Sequence, residues 1–146
     1  MNFETYTERA QAILQAAQTT ALANSNQVFA PEHVLKAMLE DRDQLAANLI
    51  RAAGGQPERT VQLNEEALRA IPKVSGGQNG LRLDQTSAKL FSEAEAGAKK
   101  AGDSFVTVER LLIALSGLSG SKAADALKQS GVSKNALEAA VTQLRQ

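Results

Sequence analysis

The sequence repeats itself, and this limits its possible folds more than any other feature. Shifted by 77 residues, Pro31-Glu32-His33-Val34-Leu35 falls on Val108-Glu109-Arg110-Leu111-Leu112. The same shift sets Leu14, Ala17 and Ala21 opposite Phe91, Ala94 and Ala98. With one residue deleted near Gly55, the positions Gly55, Val61 and Leu68 meet Gly131, Leu137 and Leu144. A unit of about 70 residues holds little core by itself, so the copies are expected to pack together about a pseudo-two-fold axis. Such packing is expected to leave a partly apolar groove where the halves meet.

Within each copy the apolar spacing is helical. Ala10, Ile13, Leu14, Ala17 and Ala21 form one stripe, with Thr5 or Thr7 as the cap and Asn24-Ser25-Asn26 as the stop. Pro31 and Pro57 stand where first helical turns tolerate proline, and Asp43 is the expected cap of the helix between them. Val61, Leu68 and Ile71 are the expected apolar face of the fourth helix, which Pro72 closes. After Pro72–Gly80, with its three glycines, Asp84, Thr107, Ser121 and Ser133 are placed to cap four more helices. Aromatics make up only 3% of the chain, so the core is small-grained and a large sheet is not expected. The expected fold is all-α: one eight-helix domain of two pseudo-two-fold-related four-helix repeats. Repeat one is expected over about 1–72, the linker over about 73–83 and repeat two over about 84–146.

The charges narrow the function. Sixteen basic and sixteen acidic residues leave no net charge, and no basic stripe is present, which speaks against nucleic acid as a partner. There is no cysteine, as suits a reducing cytoplasm, and no apolar run approaches the roughly 20 residues that cross a bilayer. The N-terminus lacks a signal-peptide pattern, and the helical pattern at Gln146 has no stop signal, as in a piece of a longer protein. His33 is the one histidine and has no metal-ligand partners in spacing, so a structural or solvated role is expected. Glu65, Glu66, Glu93 and Glu95 read as solvated helix faces. A small helical hydrolase would need a nucleophile, a base and an oxyanion site, and no such set is present.

Four segments together resemble a known family: Phe3–Ala10, Pro31–Leu39, Asn48–Arg51 and Gly102–Leu112. With Pro72–Gly77 they are similar to the Clp N-terminal domain of the Clp and heat-shock-100 ATPases, and to its ClpB branch in particular. The resemblance implies a non-catalytic domain joined to AAA+ rings in a hexamer. Such a hexamer threads aggregated polypeptide with the DnaK chaperone system. ATP and Mg would belong to the rings, because this chain has no G-x-x-x-x-G-K-[ST] loop and no cofactor of its own is expected. The isolated domain is expected to be a cytoplasmic monomer that binds unfolded or aggregated polypeptide. The alternative is an adaptor-docking domain of a protease-linked Clp unfoldase.

The resemblance also associates Thr7, Asp103 and Glu109 with substrate handling. Each has a structural reading beside it: helix cap, turn residue and first-turn acid, respectively. Leu81, Leu83, Val106 and Val108 are apolar residues where loops are usually polar. Val106 is expected to seal the seam between the halves. Leu81, Leu83 and Val108 are candidates for the lip of the groove, where Leu83→Gln with Val108→Gln should weaken binding.

Overall fold

The computed structural model describes residues 2–74 and 81–146. Its first repeat carries α1 (Glu8–Ala23), β1 (Val28–Phe29), α2 (Pro31–Glu40), α3 (Leu45–Ala52) and α4 (Pro57–Arg69). Its second carries β2 (Arg82–Leu83), α5 (Gln85–Lys100), α6 (Val108–Ser116), α7 (Lys122–Gln129) and α8 (Lys134–Leu144). The eight expected helices are all present, and the two short strands are the one addition. Of the expected linker, Lys73–Val74 and Leu81–Leu83 are described, whereas residues 75–80 lie outside the described residues.

The halves are related as the sequence offset requires. Phe29 pairs with Leu83 in the parallel β1–β2 ladder, and Val106 pairs with Tyr6 in a second parallel bridge. Under the 77-residue shift each pair maps onto the other, which is the signature of a two-fold contact. Helix packing follows the same rule: α4 lies on α7 and α3 on α8 across the junction, while α1 lies on α2 and α5 on α6 within each half. Buried residues of both halves form one core, in which Phe3, Tyr6, Phe29 and Phe91 meet through their rings. Four aromatics concentrated at one seam explain how so aromatic-poor a chain closes.

The caps follow local chemistry. The side chains of Thr7, Asp84, Thr107, Ser121 and Ser133 each accept a backbone N–H at the start of their helices. Thr7 rather than Thr5 caps α1. Asp43 does not cap α3: the chain enters that helix through Gln44 in the left-handed region (φ 59°), and Asp43 instead pairs with Arg9. The face that α4 buries also differs from expectation. Pro57, Thr60, Asn64 and Leu68 face inward, and Val61 is largely exposed. Thr60 shares a 2.6 Å hydrogen bond with Ser130, and the Asn64 amide donates to the Glu32 carbonyl at 3.0 Å, so polar contacts do there what leucines do elsewhere.

His33 has no exposed surface. Ala30 precedes α2 and has no side chain to cap it, so the third residue of the helix supplies the acceptor: His33 Nδ1 accepts the Ala30 N–H at 3.0 Å. Its Nε2 then carries the proton and donates to Asn26 Oδ1 at 2.9 Å. Neighbouring Glu32 crosses the junction and accepts from Ala123 N (2.9 Å) and Ser121 Oγ (3.2 Å) at the start of α7. Burial lowers the His33 pKa and raises that of Glu32, against the hydrogen bonds each receives.

The signs oppose. As pH falls below about 6.5 the unfolded chain takes up a proton that buried His33 refuses, so the His33 contribution to stability, complete above that pH, is lost through its depressed folded pKa. Glu32 acts the other way at lower pH, since its raised pKa lets the folded state bind a proton first. Denaturant titrations are expected to show stability falling from pH 7 to pH 6. The His33→Gln protein should be about 1–3 kcal/mol less stable at pH 7.5 and should lack that slope. A His33→Gln curve with the same slope as the wild type over this interval would contradict a neutral buried imidazole.

Candidate site: a recess in the second repeat

The site begins with a difference between the two repeats. In repeat one, α4 is drawn onto α2 by the Asn64–Glu32 hydrogen bond and by Lys36, which pairs with Glu65 and with Glu40. At the matching positions of repeat two stand Ala140 and Ile113, which can make neither tie. Helix α8 therefore rests mainly on Leu137 and Val141, with Ala140 half-buried beside them. A recess of about 530 Å³ opens between α5, α6 and α8. Its floor is small and apolar (half-buried Gly97 and buried Ile113 and Ala114), exposed Ala96 and Ala101 flank it, and Glu93, Lys100, Arg110, Lys134 and Glu138 bring charge to its lining.

At one end of this recess Arg110 joins it to an ion cluster. Arg110, on the rim, donates from Nε to Asp103 at 3.3 Å. Arg145, which follows α8, donates to Asp103 Oδ1 at 3.1 Å, to Glu109 Oε2 at 3.3 Å and to Thr107 Oγ1 at 3.4 Å. The hydrogen bond and charge of Arg145, followed by those of Arg110, hold the Asp103 carboxyl below its usual range. Thr7 reaches the same segment through its backbone, its N–H bonding the Val106 carbonyl at 3.0 Å. The structure thus gathers Thr7, Asp103 and Glu109 around residues 103–110. The Thr7 hydroxyl is engaged with Ala10 N at 3.1 Å, as a helix cap. Thr7→Ala is accordingly expected to lower stability by about 1 kcal/mol and Thr7→Ser to restore it, as thermal melts will show.

The apolar candidates divide. Val108 is only 3% exposed and belongs to the core, so it is not part of a groove lip. It is the first residue of α6 and is turned inward by that helix. Val108→Gln would bury an amide and destabilise the fold rather than report on binding. Val106 seals the seam as expected, through its bridge to Tyr6. Leu81 is half-buried against the core. Leu83, also half-buried, lines a smaller recess of about 340 Å³ with Phe3, Ala88, Phe91 and Glu95. That recess lies at the seam between the halves, where a groove was expected. The larger one lies inside repeat two, because the seam itself is filled by aromatic rings and β pairing.

Two side chains carry a signal that sequence reasoning passed over. Phe105 is 53% exposed, next to inward-facing Val106, as alternation along an extended segment requires. Leu144 is 52% exposed beside Arg145. Glu95 is not simply solvated either, for it accepts the Tyr6 hydroxyl at 2.6 Å; burial, with that partner, pushes the phenol above its usual range. Among the described residues no three His, Cys, Asp or Glu side chains are grouped to hold a metal ion, and no phosphate-cradling loop exists in the sequence. Among the described residues no helix is long and apolar enough to cross a membrane.

Comparison with known proteins agrees with this architecture. Residues 5–130 match the family described as the Clp repeat (R) N-terminal domain. The chain is 51% identical over 146 residues to the chaperone protein ClpB of Mesorhizobium japonicum and 50% identical over 145 residues to that of Agrobacterium fabrum. Each match covers 99% of this chain but 17% of the relative. Among solved structures, the Hsp104 N-terminal domain from Candida albicans shares the fold with a TM-score of 0.84 at 22% identity, covering 97% of this chain and 92% of that one. The N-terminal domain of ClpD from Arabidopsis thaliana gives 0.71 at 21% identity, covering 100% and 98%. A doubled four-helix unit, matched through nearly its whole length, places the chain in the Clp repeat N-terminal domain family, as a non-catalytic module of the ClpB kind.

Proposed function

We propose that this domain captures short segments of unfolded or aggregated polypeptide in the α5–α6–α8 recess and passes them to the ATPase rings of a longer, hexameric, cytoplasmic disaggregase. In that protein ATP and Mg would act in the rings, and the DnaK system would supply or receive the client. The observation that carries the reading is the open recess with an apolar floor beside Asp103 and Glu109. Phe105 and Leu144 would extend its apolar contact beyond the rim.

Magnitudes fit a transient hold. Covering about 400 Å² of apolar surface at about 25 cal/mol/Å² yields roughly 10 kcal/mol gross. Association and ordering costs of about 4–15 kcal/mol remove much or all of that. A Kd on the order of tens of micromolar or weaker is expected. Six tethered copies would recover capture strength by multivalency, while each single contact stays loose enough to release its segment.

The charged rim favours a second reading, docking of a folded adaptor, because five charges of both signs can specify a partner surface. Titration of several unrelated unfolded chains, followed by fluorescence anisotropy, separates the two. Similar weak affinities across unrelated sequences support client capture. Binding confined to one folded partner supports the adaptor reading.

A further inference from the structure

Beyond Val141 the end of α8 has no apolar anchor. Every residue from Thr142 to Gln146 is exposed, Leu144 included. Yet this segment forms the end of one wall of the recess, for Thr142 lines it. What holds it is one guanidinium: Arg145 bonds Asp103 in the turn after α5, Thr107 at the cap of α6 and Glu109 in the first turn of α6. Asp103 in turn holds Arg110, which lines the opposite wall. We propose that Arg145 is the positioning residue of the recess, a latch that draws the end of α8 onto the α5–α6 turn and sets how wide the recess stands. The proposal rests on the client-capture reading for its consequence, though not for its geometry.

Two physical properties follow. The cluster balances two carboxylates with two guanidinium groups, so it carries no net charge. Removing Arg145 leaves Glu109 without its cation and frees the α8 terminus at once. The latch is also partly exposed, with about a third of the Arg145 side chain in water, so salt should weaken it.

The test uses the whole chain with Arg145→Gln and Arg145→Lys. In client-free 1H–15N spectra, Arg145→Gln is expected to move the amides of Ala101, Ile113 and Thr142 while those of α2 and α4 stay in place. Raising salt from about 0.05 to about 0.5 M should move the wild-type signals the same way and the Arg145→Gln signals little. Arg145→Lys should recover at least half of the displacement, and circular dichroism should be unchanged in all three. Capture of reduced, carboxymethylated α-lactalbumin should weaken about fivefold in Arg145→Gln. Recess amides of Arg145→Gln that superpose on the wild type overturn the latch. Moved amides with unchanged affinity overturn its control of capture. Moved amides with no wild-type response to the unfolded chain leave the latch standing and sink the capture reading instead.

Discussion

Replacing Gly55 by alanine is expected to cost about 1–3 kcal/mol of stability, and replacing it by valine considerably more. A Cβ at Gly55 would stand 2.5 Å from Val132 Cγ2, 3.0 Å from Ile50 Cγ2 and 3.1 Å from the Ser130 carbonyl. None of these can retreat cheaply. Val132 and Ile50 are both buried, and the Ser130 carbonyl is held by the Gln56 N–H at 2.9 Å. The residue marks a close approach of the halves, and its repeat partner Gly131 faces it with a virtual Cβ 3.4 Å from Gly55 Cα. For a domain of this size the alanine change corresponds to a fall of about 3–10 °C in Tm. Gly54→Ala provides the contrast: nothing lies within 4 Å of its Cβ, and only its φ of +93° resists, at about 1–2 kcal/mol. A Gly55→Val protein that melts with the wild type would show that the halves do not meet there.

Gly97→Lys is expected to stabilise the domain and disable it together. Gly97 lies inside α5 with ordinary helical φ and open space at its Cβ, so no packing or turn requires glycine. Such a residue costs a helix about 0.5–1 kcal/mol relative to alanine, and lysine is nearly as good a helix former. Lysine there also follows Glu93 by four residues, the favourable order for a helical ion pair. But Gly97 is part of the recess floor, and an ammonium would sit where an apolar client side chain should rest. Thermal melts should rise slightly while affinity for an unfolded chain drops about tenfold, or about 1.4 kcal/mol. Opposite movements in the two readouts cannot arise from general damage. Unchanged affinity would mean that the client lies elsewhere.

Much of the architecture was legible because it was written twice. The matching of Pro31–Leu35 with Val108–Leu112 required two like halves, and the caps at Asp84, Thr107, Ser121 and Ser133 follow from local chemistry that needs no tertiary context. The α3 entry was not legible, because the left-handed Gln44 answers to how Asp41 and Asp43 engage Arg9 across the fold. Nor was the inner face of α4. Thr60 and Asn64 look solvated until the partners Ser130 and Glu32, distant in sequence, are brought to them.

The site was legible in part. Asp103 and Glu109 were singled out and do stand together, joined by an Arg145 that no local pattern connects to them. The recess could not be read from apolar content, because what opens it is an absence: Ile113 and Ala140 stand where repeat one has Lys36 and Asn64 to pull its helices shut. Reading Val108 as exposed failed for a related reason, since its parity with Val106 persists although helix begins between them.

The most direct measurement is a 1H–15N titration of this domain with carboxymethylated α-lactalbumin. Shifts concentrated at Ala96, Gly97, Ala101, Ile113 and Thr142, with α1 and α4 quiet, are the predicted result. Shifts confined to the Phe3–Leu83 recess or to repeat one, or no shifts at any concentration, would contradict it.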